Sequence, residues 1–153
     1  MEPLDITNSA RVRAYVERHR PETIFLAAVL THVDYCEDHR DEARKINVEG
    51  PRAMADAARA LGARLVFYST DYIFDGKAGP YAENARPAPL SVYGRSKWAA
   101  EQALQEVIEN FLILRTEKLE RLLGRPAIAL ADALLRLEQQ ARAGGAAAKL
   151  TAG

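Results

Sequence analysis

The 153-residue chain is long enough for one domain with one hydrophobic core, and its 48% hydrophobic content is ordinary for a globular protein. Its 21 Lys and Arg balance 21 Asp and Glu, so no net field draws it to nucleic acid or to an anionic membrane, and no 18-residue apolar run marks a membrane span. The single cysteine, Cys36, excludes an internal disulfide, and His19, His32 and His39 lack the spacing of a metal site.

The opening residues, Met1-Glu2-Pro3-Leu4-Asp5, lack the basic and apolar regions of a secretion signal, so the expected location is the cytoplasm. Asn8 or Ser9 can cap a first helix along which Val12, Tyr15, Val16 and His19 recur at helical spacing, until Pro21 ends it. Residues 23–28 form a short continuous apolar run, the pattern of a strand covered on both faces. A polar loop is expected next. A long helix then follows over residues 40–61, with Ile46, Ala53, Met54, Ala57 and Leu61 turned inward and Gly62 as its stop.

Residues 65–70 read as a second apolar strand. Residues 71–89 read as loop, with turn signals at Asp75-Gly76 and Gly79-Pro80 and with Pro87 and Pro89. A third helix runs over 92–109, placing Tyr93, Lys97, Ala100 and Leu104 on one stripe, and residues 111–116 make a third strand. Alternating strands and helices predict an α/β fold, a partial Rossmann-like three-layer arrangement around a parallel sheet. Beyond Thr116, Leu130, Leu134 and Leu137 mark an amphipathic helix, and residues 143–153 are expected to be a flexible tail of one domain spanning 1–153.

The chemistry is concentrated in Tyr93-Gly94-Arg95-Ser96-Lys97, which stands 23 residues after Thr70. Tyr and Lys four apart share a helix face, and an ammonium beside a phenol favours the phenolate. A hydroxyl at the end of the preceding strand can hold a carbonyl oxygen against that phenol. Proton donor, tuner and carbonyl clamp are the parts a ketone reductase needs. Trp98 reads as a packing residue.

These residues sit in text that resembles the extended short-chain dehydrogenase/reductase family, in its dTDP-4-dehydrorhamnose reductase branch. The resemblance is carried by Leu4-Asp5-Ile6-Thr7, Ala27-Ala28, Thr31-His32-Val33-Asp34, Ile46-Asn47-Val48, residues 64–76, Pro80-Tyr81-Ala82-Glu83, residues 92–97 and Leu112-Ile113-Leu114-Arg115-Thr116, in that order. It implies NAD or NADP as cofactor and a nucleotide-linked sugar ketone as substrate. It also implies roles: Tyr93 as proton donor, Lys97 as its tuner and a ligand of the nicotinamide ribose, and Thr70 on the carbonyl oxygen. Asn47 would support a proton-relay water, Ala27 and Ala28 would let the cofactor approach, and Asp71 would contact substrate.

The family's Gly-rich turn, G-x-x-G-x-x-G, which cradles the pyrophosphate at a helix N-terminus, has no counterpart in the sequence. The chain is therefore expected to be an abridged reductase. The alternative is a non-catalytic remnant or binding subunit, like the related regulatory subunits of methionine adenosyltransferase. An abridged sheet would leave one edge of the first strand open, inviting a homo-oligomer or a partner chain.

Overall fold

The computed structural model describes residues 4–77 and 81–115, within the first of the two units into which the chain divides, Met1–Thr116. The helix, strand and tail expected beyond Thr116 lie outside the described residues. So does the part of the single-domain reading that rests on them.

Helix α1, Ser9–His19, starts where the Asn8 side chain accepts the Arg11 N–H, and it buries Val12 and Val16. Strand β1 is Thr23–Leu26, two residues shorter than the apolar run suggests. The expected polar loop contains a short helix, α2, Val33–Asp38, capped by the His32 ring on the Tyr35 N–H. Helix α3, Arg40–Arg44, runs through a π-helical turn, Lys45–Glu49, into α4, Gly50–Leu61.

The expected regular helix over 40–61 is thus interrupted, and Pro51 supplies a reason. Proline has no N–H to give the carbonyl of Asn47, and its ring would strike that carbonyl in a tight α-turn. The wider π turn lies where the clash would fall. Helix α4 ends at Gly62, whose φ of 69° is the left-handed region that a side chain disfavours.

Strand β2, Arg64–Ser69, leads into a 3₁₀ turn, Asp71–Ile73, and after a loop helix α5, Val92–Val107, leads into β3, Phe111–Arg115. The three strands are parallel in the order β1-β2-β3, as the alternation predicts.

The register explains which face carries the core. Ile24, Leu65 and Phe111 stand in one row, and Leu26, Phe67 and Ile113 in the next but one. All six join Val12, Val16, Met54, Ala57, Ala58, Ala100 and Leu104 in one apolar cluster. Helices α1, α4 and α5 therefore pack on a single face of the sheet. The alternate row, Phe25, Val66 and Leu112, points to the opposite face. At about 25 cal/mol per Å² of apolar surface, burying rings and branched chains such as Phe67 and Leu65 is the main force holding this layer together. The connections that leave β1 and β2 start at the C-terminal ends of those strands, the end where open α/β sheets hold ligands.

Candidate active site

At that end, the sequence places chemistry on three elements. Thr70 follows β2 directly, and its Oγ1 accepts the Tyr72 N–H at 3.2 Å, which starts the 3₁₀ turn. Helix α5 is fixed at its first turn by two caps. Ser91 Oγ accepts the Gly94 N–H at 3.0 Å, and Glu37 of α2 accepts the Val92 N–H at 2.6 Å. Tyr93, the second residue of α5, is thereby set in place, with its ring edge-on to Tyr72 at 5.8 Å between centroids. Gly94 is required by close approach: a Cβ there would stand 2.3 Å from the Tyr72 carbonyl oxygen.

Tyr93 thus stands against the turn that Thr70 begins. Burial raises the Tyr93 phenol above its ordinary value, an interaction with the Thr70 hydroxyl pulls it back, and Asp71 adds a small upward push. Asp71 is half-buried beside them, with one carboxylate oxygen sealed from solvent and lacking a hydrogen-bond partner.

Lys97 sits one turn on, only 2% exposed, and its role departs from the expectation. The ammonium donates to the Tyr68 carbonyl oxygen at 2.6 Å and lies 3.9 Å from the centroid of the Phe67 ring. Burial pushes it down to about 7, partly offset by Glu101. Lys97 is not among the groups that shift Tyr93. The expected lowering of the phenol by a neighbouring ammonium is therefore corrected. The net shift is upward, because desolvation disfavours the phenolate and the ammonium is turned toward the strand.

Asn47, 1% exposed, stands in the π turn. Its Oδ1 accepts the Leu30 N–H at 2.8 Å, and its Nδ2 donates to the Leu30 carbonyl and to Ser96 Oγ, both at 3.0 Å. The amide thus pins the loop after β1 to the turn of α5 between Tyr93 and Lys97, and both its N–H groups are occupied by protein. Ala27 and Ala28 follow β1 directly and are exposed.

One group of functional candidates was not singled out from the sequence. Glu101, wholly buried, takes Arg115 of β3 in a two-pronged ion pair, with Nη2 to Oε2 at 2.7 Å and Nε to Oε1 at 3.2 Å. Ser69 Oγ donates to Oε1 as well, at 2.5 Å. Arg115 also reaches the Glu83 carbonyl, tying down the loop before α5. The available signal was a carboxylate four residues after Lys97 on the buried stripe of α5, where an unpaired charge is rare.

The comparisons with known proteins bear on the family of the chain. The RmlD substrate binding domain model matches residues 1–142. The chain belongs to that family. It is 41% identical over 138 residues to a dTDP-4-keto-6-deoxy-D-glucose reductase of Streptomyces niveus, covering 89% of this chain and 47% of that protein. It is 42% identical over 113 residues to the dTDP-4-dehydrorhamnose reductase of Escherichia coli K12, covering 73% and 38%.

Among solved structures, the dTDP-4-dehydrorhamnose reductase of Bacillus anthracis, determined in complex with NADP, superposes with a TM-score of 0.73 at 44% identity. The match covers 74% of this chain and 41% of that one. The family member described here spans less than half the length of the curated relatives it matches. Neither of these relatives is named as a regulatory subunit, so the non-catalytic alternative gains no support from them. Among the described residues no helix is long and apolar enough to cross a membrane.

Proposed function

We propose that the chain carries the proton-transfer half of an NAD(P)H-dependent ketoreductase acting on a dTDP-linked 4-keto sugar. The observation that carries this reading is the docking of the start of α5 on the turn that Thr70 begins, with the Tyr93 ring 5.8 Å from that of Tyr72 and Lys97 one turn further on. A nicotinamide cofactor, when bound, supplies hydride to the ketone carbon. The chain's own residues do the rest. The Thr70 hydroxyl holds the ketone oxygen, and the Tyr93 phenol, kept protonated by burial, gives its proton to that oxygen as charge develops. Asp71, half-buried beside this pair, is the carboxylate nearest the phenol that could meet a sugar hydroxyl.

The residues present fit one end of the cofactor. Lys97 has three N–H donors, one of them on Tyr68, which leaves capacity for ribose hydroxyls, and the short side chains of Ala27 and Ala28 leave room beside the end of β1. The pyrophosphate end has no Gly-rich turn in this sequence to receive it. Binding of NAD(P)H by this chain alone is therefore weak, because the contacts that anchor the cofactor's phosphates are missing and remote binding energy also supports the chemistry.

The first strand bears on partners. Among the described residues β1 pairs on its β2 side only. A strand unpaired on one side is a template for another, so a further strand, from this chain or from a second one, would extend the sheet at β1. The same reading places the protein in the cytoplasm, where nicotinamide cofactors are available.

The test is a chimera in which residues 4–115 replace the matching segment of the E. coli reductase. Reduction of the dTDP-4-keto sugar with NADPH is expected, and Tyr93→Phe should lower kcat by ~10²–10⁴-fold with NADPH binding intact. A folded chimera that binds NADPH and is indifferent to Tyr93→Phe would overturn the assignment.

A further inference from the structure

Glu101 stands four residues after Lys97 on one helix, the spacing at which a Glu and a Lys ordinarily form an ion pair. Both are buried, which would make that pairing stronger still. Yet the Lys97 ammonium goes to the Tyr68 carbonyl, on the penultimate residue of β2. The reason lies at the carboxylate. Arg115 takes both oxygens with its planar fork, and Ser69 takes Oε1 as well. Ser69 and Arg115 are themselves partners in the sheet register, so two adjacent strands fix the carboxylate from one side.

We propose that Arg115 and Ser69 are positioning residues that hold the Glu101 carboxylate away from Lys97, keeping the buried ammonium at the C-terminal end of β2 and uncommitted to a carboxylate when a ligand hydroxyl arrives. The identity of that ligand as the cofactor ribose rests on the function proposed above; the withholding of Glu101 does not. Tyr93 lies one turn before Lys97 on the same helix, with Asp71, Tyr72 and Cys36 acting on its phenol, and Arg115 reaches Glu101 from β3. Of all these and Glu101, only Glu101 bears on the charge of the ammonium. Freeing this one carboxylate therefore has a definite sign: it moves toward Lys97 and stabilises the charged form.

The test reads Lys97 directly, by NMR of the Cε signal in chain labelled with ¹³C-lysine, assigned through Lys97→Arg. No cofactor or substrate is needed, so a failed function assignment leaves the result intact. Arg115→Met is expected to raise the Lys97 midpoint from about 7 by ~1–3 pH units, the range for a newly close opposite charge. Adding Glu101→Gln should abolish that rise, since no carboxylate remains to pair.

Arg115→Met also unmasks the Glu101 charge in place, so an Arg115 that does not hold the carboxylate off would give no rise in Arg115→Lys, which keeps that charge. Should Arg115→Met not fold, Arg115→Lys keeps the charge but loses the fork, and a smaller rise in the same direction is expected. A midpoint that falls or stays fixed in whichever single variant folds, or a rise that survives Glu101→Gln, overturns the proposal.

Discussion

The amide of Asn47 reaches Ser96, 49 residues further along the chain, at 3.0 Å, and closes the loop after β1 onto the helix that carries Tyr93 and Lys97. With its two bonds to Leu30, one side chain joins three segments that no backbone ladder connects. Asn47→Ala leaves a buried N–H, a carbonyl and a hydroxyl short of a partner, at ~1–3 kcal/mol for each group not re-solvated. A total loss of ~2–4 kcal/mol is expected in urea unfolding. A loss below ~0.5 kcal/mol would show that the loop is held by something else.

Two glycines separate a conformational from a steric demand. Gly62 has positive φ and open space around it, so Gly62→Ala should cost ~1 kcal/mol through the backbone alone. Gly94 lies in ordinary helix, but an added Cβ meets the Tyr72 carbonyl. Gly94→Ala should cost more, ~2–3 kcal/mol, by forcing the turn away from α5. It should also alter the near-ultraviolet dichroism from the Tyr72–Tyr93 pair. Equal costs, with unchanged aromatic signal, would refute the close approach.

Lys97 makes stability depend on pH with a defined sign. Folding lowers its midpoint from 10.5 to about 7. Below about 7 both states hold the proton and the full penalty of burying charge is present. Between there and 10.5 the unfolded chain holds a proton that the folded chain has lost, so stability rises with pH, by at most about 1.4 kcal/mol per unit. Lys97→Met removes the titration. Its stability relative to the unmodified chain should therefore be higher at pH 6.5 and should decline by a few kcal/mol by pH 9. Urea midpoints that keep the same offset at both pH values would contradict a buried, depressed ammonium.

Glu37 tests the coupling of α2 to the site. Its surface contacts with Arg40 and Arg95 at 3.6 and 3.9 Å are worth little, whereas its bond to the Val92 N–H caps α5 from outside the helix. Glu37→Ala should cost ~1–2 kcal/mol, the usual value of a lost cap, and Glu37→Gln should recover most of it. High salt should leave the difference nearly unchanged, which thermal melts in 1 M NaCl can check.

Much of this architecture was legible because it follows from local patterns. Continuous apolar runs marked all three strands, since a parallel strand has no wet face to alternate toward, and the spacing along α5 put Tyr93 and Lys97 on one stripe. Helix α2 escaped notice because six residues are too few to show a period. The π turn was hidden for another reason: hydrophobic spacing does not report which carbonyl each N–H chooses. The direction of the Lys97 side chain depends on Arg115, which reaches Glu101 from a different strand. Pairing across elements leaves no trace in spacing along one helix.

The π turn also sets a timing relation along its helix. An α-helix advances 100° per residue, so one widened turn offsets every later side chain relative to those before it. Ala43 faces one apolar cluster and Met54, Ala57 and Ala58 face another, on two arms that are out of step. Removing a single residue from Lys45–Glu49 would bring the arms back into phase and swing Asn47 off Leu30. The segment thus behaves like a gear with one inserted tooth: a deletion there is expected to do more harm than a conservative substitution at any one of its side chains.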